Sequence, residues 1–213
     1  MSVPNRIPQE VIEAFRRIPT ATIHEANQQN GAMNFNIKPL SRTMRVCGPA
    51  ITVEVRPGDN FGLHQILSIA QKGEVIVAQA GGFLESGLWG EIMTTAALQR
   101  GVSGLVIDGA VRDTESAVSL GFPIWCAGIS IKASGKNFPG RINGPIPCGG
   151  VLVNPGDLVV GDGDGVVVVS SQAVQQVLEK ALEREKKEAG FIEQIRKGAL
   201  TIDLLGLSEK IKE

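Results

Sequence analysis

Residues 81–113, GGFLESGLWGEIMTTAALQRGVSGLVIDGAVRD, decide how this chain is read. The stretch opens on a glycine pair, Gly81–Gly82, and closes on an adjacent cation and anion, Arg112–Asp113. Between them, residues 90–100 predict a helix. Ile92, Met93, Ala96, Ala97 and Leu98 give it an apolar face, and Gly101 stops it, since glycine past the last turn is a common helix end. Residues 104–108 (GLVID) predict a buried strand, a short apolar run bounded by glycines. A helix of about ten residues carries the chain back ~15 Å at ~1.5 Å per residue. A strand of about five residues returns it ~17 Å at ~3.3 Å per residue. The two displacements nearly cancel. Glu91, at the helix start, and Arg112–Asp113, just past the strand, are therefore expected at one end of a sheet. Open α/β sheets bind ligands outside the carboxyl ends of their strands.

Outward from this stretch the pattern repeats. Residues 50–56 (AITVEVR) and 74–79 (EVIVAQ) read as strands, and 61–71 as a helix capped by Asn60 and ended by Gly73. After Asp113 a short helix over 114–120 ends at Gly121, and 123–126 (PIWC) is a further strand. Alternating strands and helices argue for an α/β layer with parallel pairing. Two helices, 8–17 and 20–29, precede it. From residue 150, GVLV, DLVV and VVVV read as three tightly joined β segments. GDGDG between the last two is a turn, because strands flank it and no helix N-terminus follows. Ser170 then caps a long helix over about 171–197, which outruns its own domain; its run EREKKE (183–188) is too polar for core, and its far end is either solvated or rests on a neighbouring subunit.

Composition bounds the function. With 213 residues and 43% hydrophobic content, one domain over 1–213 with a real core is expected. A net charge of -1 leaves no electrostatic footprint for nucleic acid or an anionic membrane. Cys47, Cys126 and Cys148 form no CxxC, which argues against structural zinc and for a reduced setting. The N-terminus MSVPNRIPQEV lacks a signal peptide's apolar core, and no run approaches the ~20 apolar residues of a membrane span. A cytoplasmic protein is expected.

Two carboxylates and an arginine at a strand end suit a hard divalent cation and an anionic ligand. Magnesium takes one or two carboxylates and keeps several waters. Asp113 can bind it directly, Glu91 can hold one of its waters, and Arg112 offers a bidentate fork to a carboxylate. Backbone N–H groups at the helix start, residues 90–93, can hold a further oxyanion. Such a set fits a 2-keto acid and the enolate formed from it. A plainer account also stands: Glu91 as an acid at a helix N-terminus, and Asp113 as the cap of 114–120. His24 and His64 read as packed or hydrogen-bonded helix histidines. Lys132, Lys136 and Arg141 lie in the Gly/Pro-rich segment 127–149. No neighbour prepares either lysine for Schiff-base chemistry, so they read as solvated.

Glu91, twenty intervening residues, then Arg112–Asp113 resembles the Asp-or-Glu-x20-Arg-Asp signature of the 4-hydroxy-4-methyl-2-oxoglutarate / 4-carboxy-4-hydroxy-2-oxoadipate aldolases, which share a fold with regulator of ribonuclease activity A. ATIHEA (21–26), GDN (58–60), GLVIDGAVRD (104–113), GFP (121–123), LVNPGD (152–157) and DGDGVVVV (162–169) are similar to family segments in family order. The resemblance implies a β/β/α swivelling-type, RraA-like α/β sandwich with a parallel βαβ core and a long C-terminal helix, assembled as a homotrimer or homohexamer. It implies a class II pyruvate aldolase using Mg2+ or Mn2+. The reaction would be retro-aldol cleavage of a 4-hydroxy-2-oxo acid to pyruvate and a second keto acid, with oxaloacetate decarboxylation as a side activity. Matched by motif, Asp113 would ligate the metal, and Arg112 would bind the pyruvyl carboxylate and stabilise the enolate. Gly90, Glu91, Ile92 and Met93 would bind substrate, and Glu91 would also hold metal-bound water. An acid on the C-terminal helix of the adjacent subunit, Glu188 or alternatively Glu185, would reach the metal through water. Glu91 is one methylene longer than the commoner Asp, and the end GALTIDLLGLSEKIKE is less like the aldolases. The rival reading is a non-catalytic, protein-binding regulator of RNA decay, and a third is an aldolase-like enzyme on another hydroxy acid or sugar acid.

Overall fold

The computed structural model describes residues 7–211, so the leader-free reading of the N-terminus rests partly on residues 1–6, outside the described residues. Helices α1 (Gln9–Phe15) and α2 (Thr20–Ala26) come first, entered through Pro8 and Pro19. Proline at the entry forfeits no helical hydrogen bond, because the first N–H groups of a helix have no partner within it. After a two-residue strand β1 (Lys38–Pro39) come β2 (Val46–Glu54), α3 (Phe61–Ile69), β3 (Val75–Gln79), α4 (Glu91–Gln99), β4 (Gly104–Val111), α5 (Thr114–Ser119) and β5 (Ile124–Ile129). β2, β3, β4 and β5 pair in parallel, in sequence order. This is the expected βαβ core, with α3, α4 and α5 as its crossovers.

Strand β2 starts four residues before the expected 50–56 because it serves two sheet halves. Ala50–Glu54 pair in parallel with β3, while Val46–Pro49 pair antiparallel with β9 (Leu158–Gly161). β10 (Val166–Val169) continues that antiparallel half, β1 flanks the other edge along β5, and β6 (Arg141–Ile142) pairs with β2. The three β segments after residue 150 are present, but their pairing differs from a simple series of hairpins. β8 (Val151–Val153) pairs with β7 (Ile146–Cys148), not with β9. The NPGD turn carries the chain between the two sheets, and Asp157 fixes it by accepting the Asn154 N–H at 2.9 Å and the Ser171 N–H at 3.0 Å.

Among the described residues the apolar side chains form three cores. The first packs α3, α4 and α5 on one face of the sheet, through Leu63, Ile66, Met93, Ala97 and Ala117 against Ile51, Val53, Ile76 and Leu105. The second lies on the opposite face, where Ile146, Cys148 and Val153 cover Val75, Val77, Val106 and Trp125. Helices, sheet and second β layer make the β/β/α sandwich. The third core docks α1, α2 and α6 (Val174–Arg196) on the antiparallel half through Phe15, Ile23, Val177 and Leu178. GDGDG is indeed a turn, but a helix does begin on it from elsewhere in the chain. Buried Asp162 accepts the backbone N–H of Thr20 at 2.9 Å and its hydroxyl at 2.7 Å, which seats the start of α2.

Helix α6 begins at Val174, three residues later than expected, with Ala173 and not Ser170 at its cap; Ser170 Oγ accepts the Gln172 N–H at 3.4 Å in the turn before it. No α6 residue beyond Ala181 is buried. A short helix α7 (Thr201–Leu204) and a 3-10 turn (Ser208–Ile211) follow. Among the described residues no helix is long and apolar enough to cross a membrane.

Candidate active site

The 81–113 stretch folds as its two displacements require. Leu88 N donates to Ala110 O at 2.9 Å and Arg112 N donates to Trp89 O at 2.8 Å. These two bonds bind the entry of α4 to the exit of β4, so Gly90–Glu91 lies directly against Arg112–Asp113.

Asp113 occupies the cap position of α5 but makes no side-chain bond into that helix. Its backbone is left-handed, at φ 53° and ψ 42°, a conformation Asp tolerates better than most residues. Its Oδ2 instead accepts the backbone N–H of Glu91 at 3.1 Å and stands 3.5 Å from Arg112 Nε. The simple-cap account of Asp113 is thereby removed. Gly90 is extended, a backbone any residue adopts, yet a Cβ there would meet Asp113 Oδ2 at 2.4 Å and Arg112 Nε at 3.1 Å. The glycine is required by close approach alone. The Glu91 carboxylate leans towards α5, where its Oε2 accepts the Ser116 hydroxyl at 3.0 Å. Ile92 and Met93 follow in the first turn, where backbone N–H groups have no acceptor within their helix.

Gly90, Glu91, Ile92, Met93, Arg112 and Asp113 all line one pocket of about 80 Å³. That volume is small beside the ~300–1,000 Å³ of sites for drug-sized ligands, so it suits an ion and a small acid rather than a large cofactor. A larger open groove of about 670 Å³ runs along β1, β5 and α5, but among the described residues its charged lining is Glu115 and Lys38 alone and it lacks this convergence of groups.

Three further polar side chains line the pocket, to which the sequence reading gave other roles: Asn60, His64 and Lys136. Asn60 was expected to cap α3, but its Nδ2 donates to Leu88 O at 2.9 Å, and Asp59 Oδ1 takes the Phe61 N–H at 3.0 Å. Asn60 Oδ1 is buried without a hydrogen-bond partner in the chain. His64 does sit among buried Leu63, Ile66 and Leu67, yet its half-buried ring reaches the pocket wall. Burial first, and then the positive charge of Lys136, hold its pKa below the ordinary imidazole value. The four-residue spacing of Asn60 and His64 was the one available signal, since i and i+4 share a helix face. Lys136 arrives from a loop distant in sequence and had none.

Glu188 is not in this pocket. It lies on α6, whose packing partners are α1 and α2, and it pairs with Arg184 at 2.8 Å; Arg184 also contacts Glu25. Glu185, the alternative, lies one turn earlier on α6 and does not line the pocket either. Among the described residues no three His, Cys, Asp or Glu side chains cluster as a metal site. One chain therefore supplies two carboxylates, Asp113 and Glu91. That donor set fits a hard, water-retaining dication and not a four-coordinate zinc.

The Aldolase/RraA family model, RraA-like, matches residues 20–168, which contain every residue lining this pocket. A Halalkalibacterium halodurans protein named "Putative 4-hydroxy-4-methyl-2-oxoglutarate aldolase" is 42% identical over 180 residues, 84% of each chain. The solved structure of Streptomyces coelicolor RraAS2, described as an unusual member of the RNase ES inhibitor RraA protein family, matches with a TM-score of 0.79 at 32% identity, over 90% of this chain and 100% of that one. An uncharacterized Pseudomonas syringae pv. tomato protein matches with a TM-score of 0.83 at 29% identity, over 94% and 98% of the two chains. Because the family match runs through both halves of the pocket and the fold is shared along nearly the whole length, this chain belongs to the RraA-like, Aldolase/RraA family.

Proposed function

We propose that this protein is a divalent-metal-dependent pyruvate aldolase. It cleaves a 4-hydroxy-2-oxo acid of the 4-hydroxy-4-methyl-2-oxoglutarate or 4-carboxy-4-hydroxy-2-oxoadipate type to pyruvate and a second keto acid, and decarboxylates oxaloacetate as a side reaction. The observation that carries this reading is the contact between Asp113 Oδ2 and the Glu91 N–H at 3.1 Å, with Arg112 Nε beside it at 3.5 Å, at the start of α4. Carboxylates, a guanidinium and unpaired N–H groups then face one small cavity.

Asp113 would hold Mg2+ or Mn2+ directly and Glu91 through a water. The cation supplies Lewis acidity towards the substrate's 2-oxo group. Arg112 grips the pyruvyl carboxylate with its planar fork and offsets the charge that builds as the carbon–carbon bond breaks. The N–H groups of Ile92 and Met93 would donate hydrogen bonds to the same carboxylate from the helix side. Asn60 Oδ1, which has no partner in the chain, would accept a hydrogen bond from a substrate hydroxyl.

Glu188 enters from a second copy of the chain. Ile192 and Ile195 are exposed on the outer half of α6, and Leu200 and Leu205 beyond it, an apolar surface that a trimer or hexamer would cover. Pyruvate release from oxaloacetate and from a 4-hydroxy-2-oxo acid, with and without EDTA, tests the reading; release that survives EDTA, or none at all, sinks it. The likeness to RraAS2 favours one rival, a regulator that binds a ribonuclease. Absence of turnover together with inhibition of a ribonuclease would select it.

A further inference from the structure

The segment 132–137 is tied down at both ends. Towards α4, Gly87 N donates to Lys132 O at 2.9 Å, Ser86 Oγ to Ala133 O at 3.2 Å, and Ser134 Oγ to Gly87 O at 2.9 Å. Towards α3, Gly135 N donates to Gly58 O at 2.8 Å, Asn60 N to Gly135 O at 3.0 Å, and Asn137 N to Asp59 Oδ2 at 2.6 Å. Lys136 lies between the last two anchors and lines the pocket.

Asp59 itself does not line the pocket, and it is only 4% exposed. Both of its oxygens are engaged, one by Phe61 N at the start of α3 and the other by Asn137 N. Burial opposes its ionisation, but the N–H groups of Asn137, Phe61 and Phe138 and the charge of Lys136 outweigh burial and keep the carboxyl below its ordinary range. It is therefore an anion with two acceptors, and it joins the helix that carries His64 to the loop that carries Lys136. Asparagine there has one acceptor and one donor, so one of the two N–H groups would lose its partner.

We infer that Asp59 is a positioning residue, which seats Lys136 at the pocket wall so that its ammonium binds the substrate's anionic end remote from Arg112. This rests on the aldolase reading. A dication would balance the charges of Asp113 and Glu91, leaving Arg112 and Lys136 as two cations for the two carboxylates of oxaloacetate or of a 4-hydroxy-4-methyl-2-oxoglutarate-type substrate.

The test compares wild type, Asp59→Asn, Lys136→Gln and the double variant, each checked for folding by its thermal melt. The readouts are amide exchange at Asn137, tryptic cleavage after Lys136, and oxaloacetate kinetics with Mn2+. Expected for Asp59→Asn are exchange and cleavage at least fivefold faster, and KM at least fivefold higher with kcat within about twofold. Lys136→Gln gives the same KM rise, and the double variant no more than either single one. Should Asp59→Asn not fold, Ser134→Ala loosens the other anchor, and its KM rise should vanish in the Lys136→Gln background. Unchanged Asn137 exchange in folded Asp59→Asn, or KM effects that multiply in the double variant, overturns the inference. If wild type releases no pyruvate, the proposed function fails separately. The exchange comparison then still decides: faster exchange in Asp59→Asn supports the anchor and unchanged exchange overturns it.

Discussion

Gly90→Ala isolates the central contact of this protein. The backbone at Gly90 is extended, with φ -149° and ψ -165°, so alanine adopts it without strain. The new Cβ would fall 2.4 Å from Asp113 Oδ2. An ordinary carbon–oxygen contact needs ~3.5 Å, so the carboxylate must retreat by about 1 Å. Misplacing a reacting group by about 1 Å can cost ~100-fold in rate, or ~2.7 kcal/mol of barrier. Stability should barely move. The lost Glu91–Asp113 hydrogen bond costs about 1 kcal/mol. Replacing glycine at a compatible position returns ~0.4–1 kcal/mol through the unfolded chain. The Asp113 side chain is 42% exposed and has room to swing outwards. The variant should melt within about 3 °C of wild type. Its Mn2+ affinity, read by the paramagnetic signal of the free ion, should fall at least tenfold. Pyruvate release, coupled to NADH oxidation by lactate dehydrogenase, should fall about 100-fold. Gly165→Ala, where a Cβ meets nothing within 4 Å, is the silent control. A folded Gly90→Ala protein with wild-type metal affinity and turnover would refute the geometry argued for this site.

Other perturbations separate the roles. Asp113→Asn keeps a side chain that tolerates the left-handed backbone but removes the charge, so calorimetry should show Mn2+ binding lost with little change in melting temperature. Arg112→Lys should bind the metal normally yet lose at least tenfold in kcat/KM, because an ammonium cannot reproduce a planar fork; equal kinetics would remove Arg112 from substrate binding. His64 should titrate below the ordinary imidazole value, by NMR of its ring protons assigned with His64→Gln, and Lys136→Gln should raise that pKa. Since the folded value is depressed, the unfolded state binds more protons through this window. The His64 contribution to stability is then full above the unfolded pKa of about 6.5 and declines as pH falls towards the folded value. Gly190 lies inside α6 with open space around its Cβ, so Gly190→Ala should add about 1 kcal/mol and raise the melting temperature by ~2–4 °C; no rise would mean that the helix face is not free.

The sequence by itself determined the main helices and strands and their order, but not β1, β6 and β7, which lie in segments with no clear apolar period. Apolar period and glycine stops placed α4 and β4, because both are local properties of backbone sterics and side-chain spacing. The same locality brought Glu91 next to Arg112–Asp113, since a helix and a strand of known rise must nearly retrace each other. Partners distant in number were decided only by the tertiary structure. Asp113 and Asn60 both look like helix caps in sequence, yet each turns its side chain across to another element, where a better-placed partner waits. Lys136 reaches the pocket through a loop pinned by Asp59, and β2 lengthens because β9 returns to pair with Val46–Pro49. Local preference fixes what a segment can form. Which of its hydrogen-bonding groups are spent within the segment, and which are left for a site, depends on what the folded chain brings within about 3 Å of them.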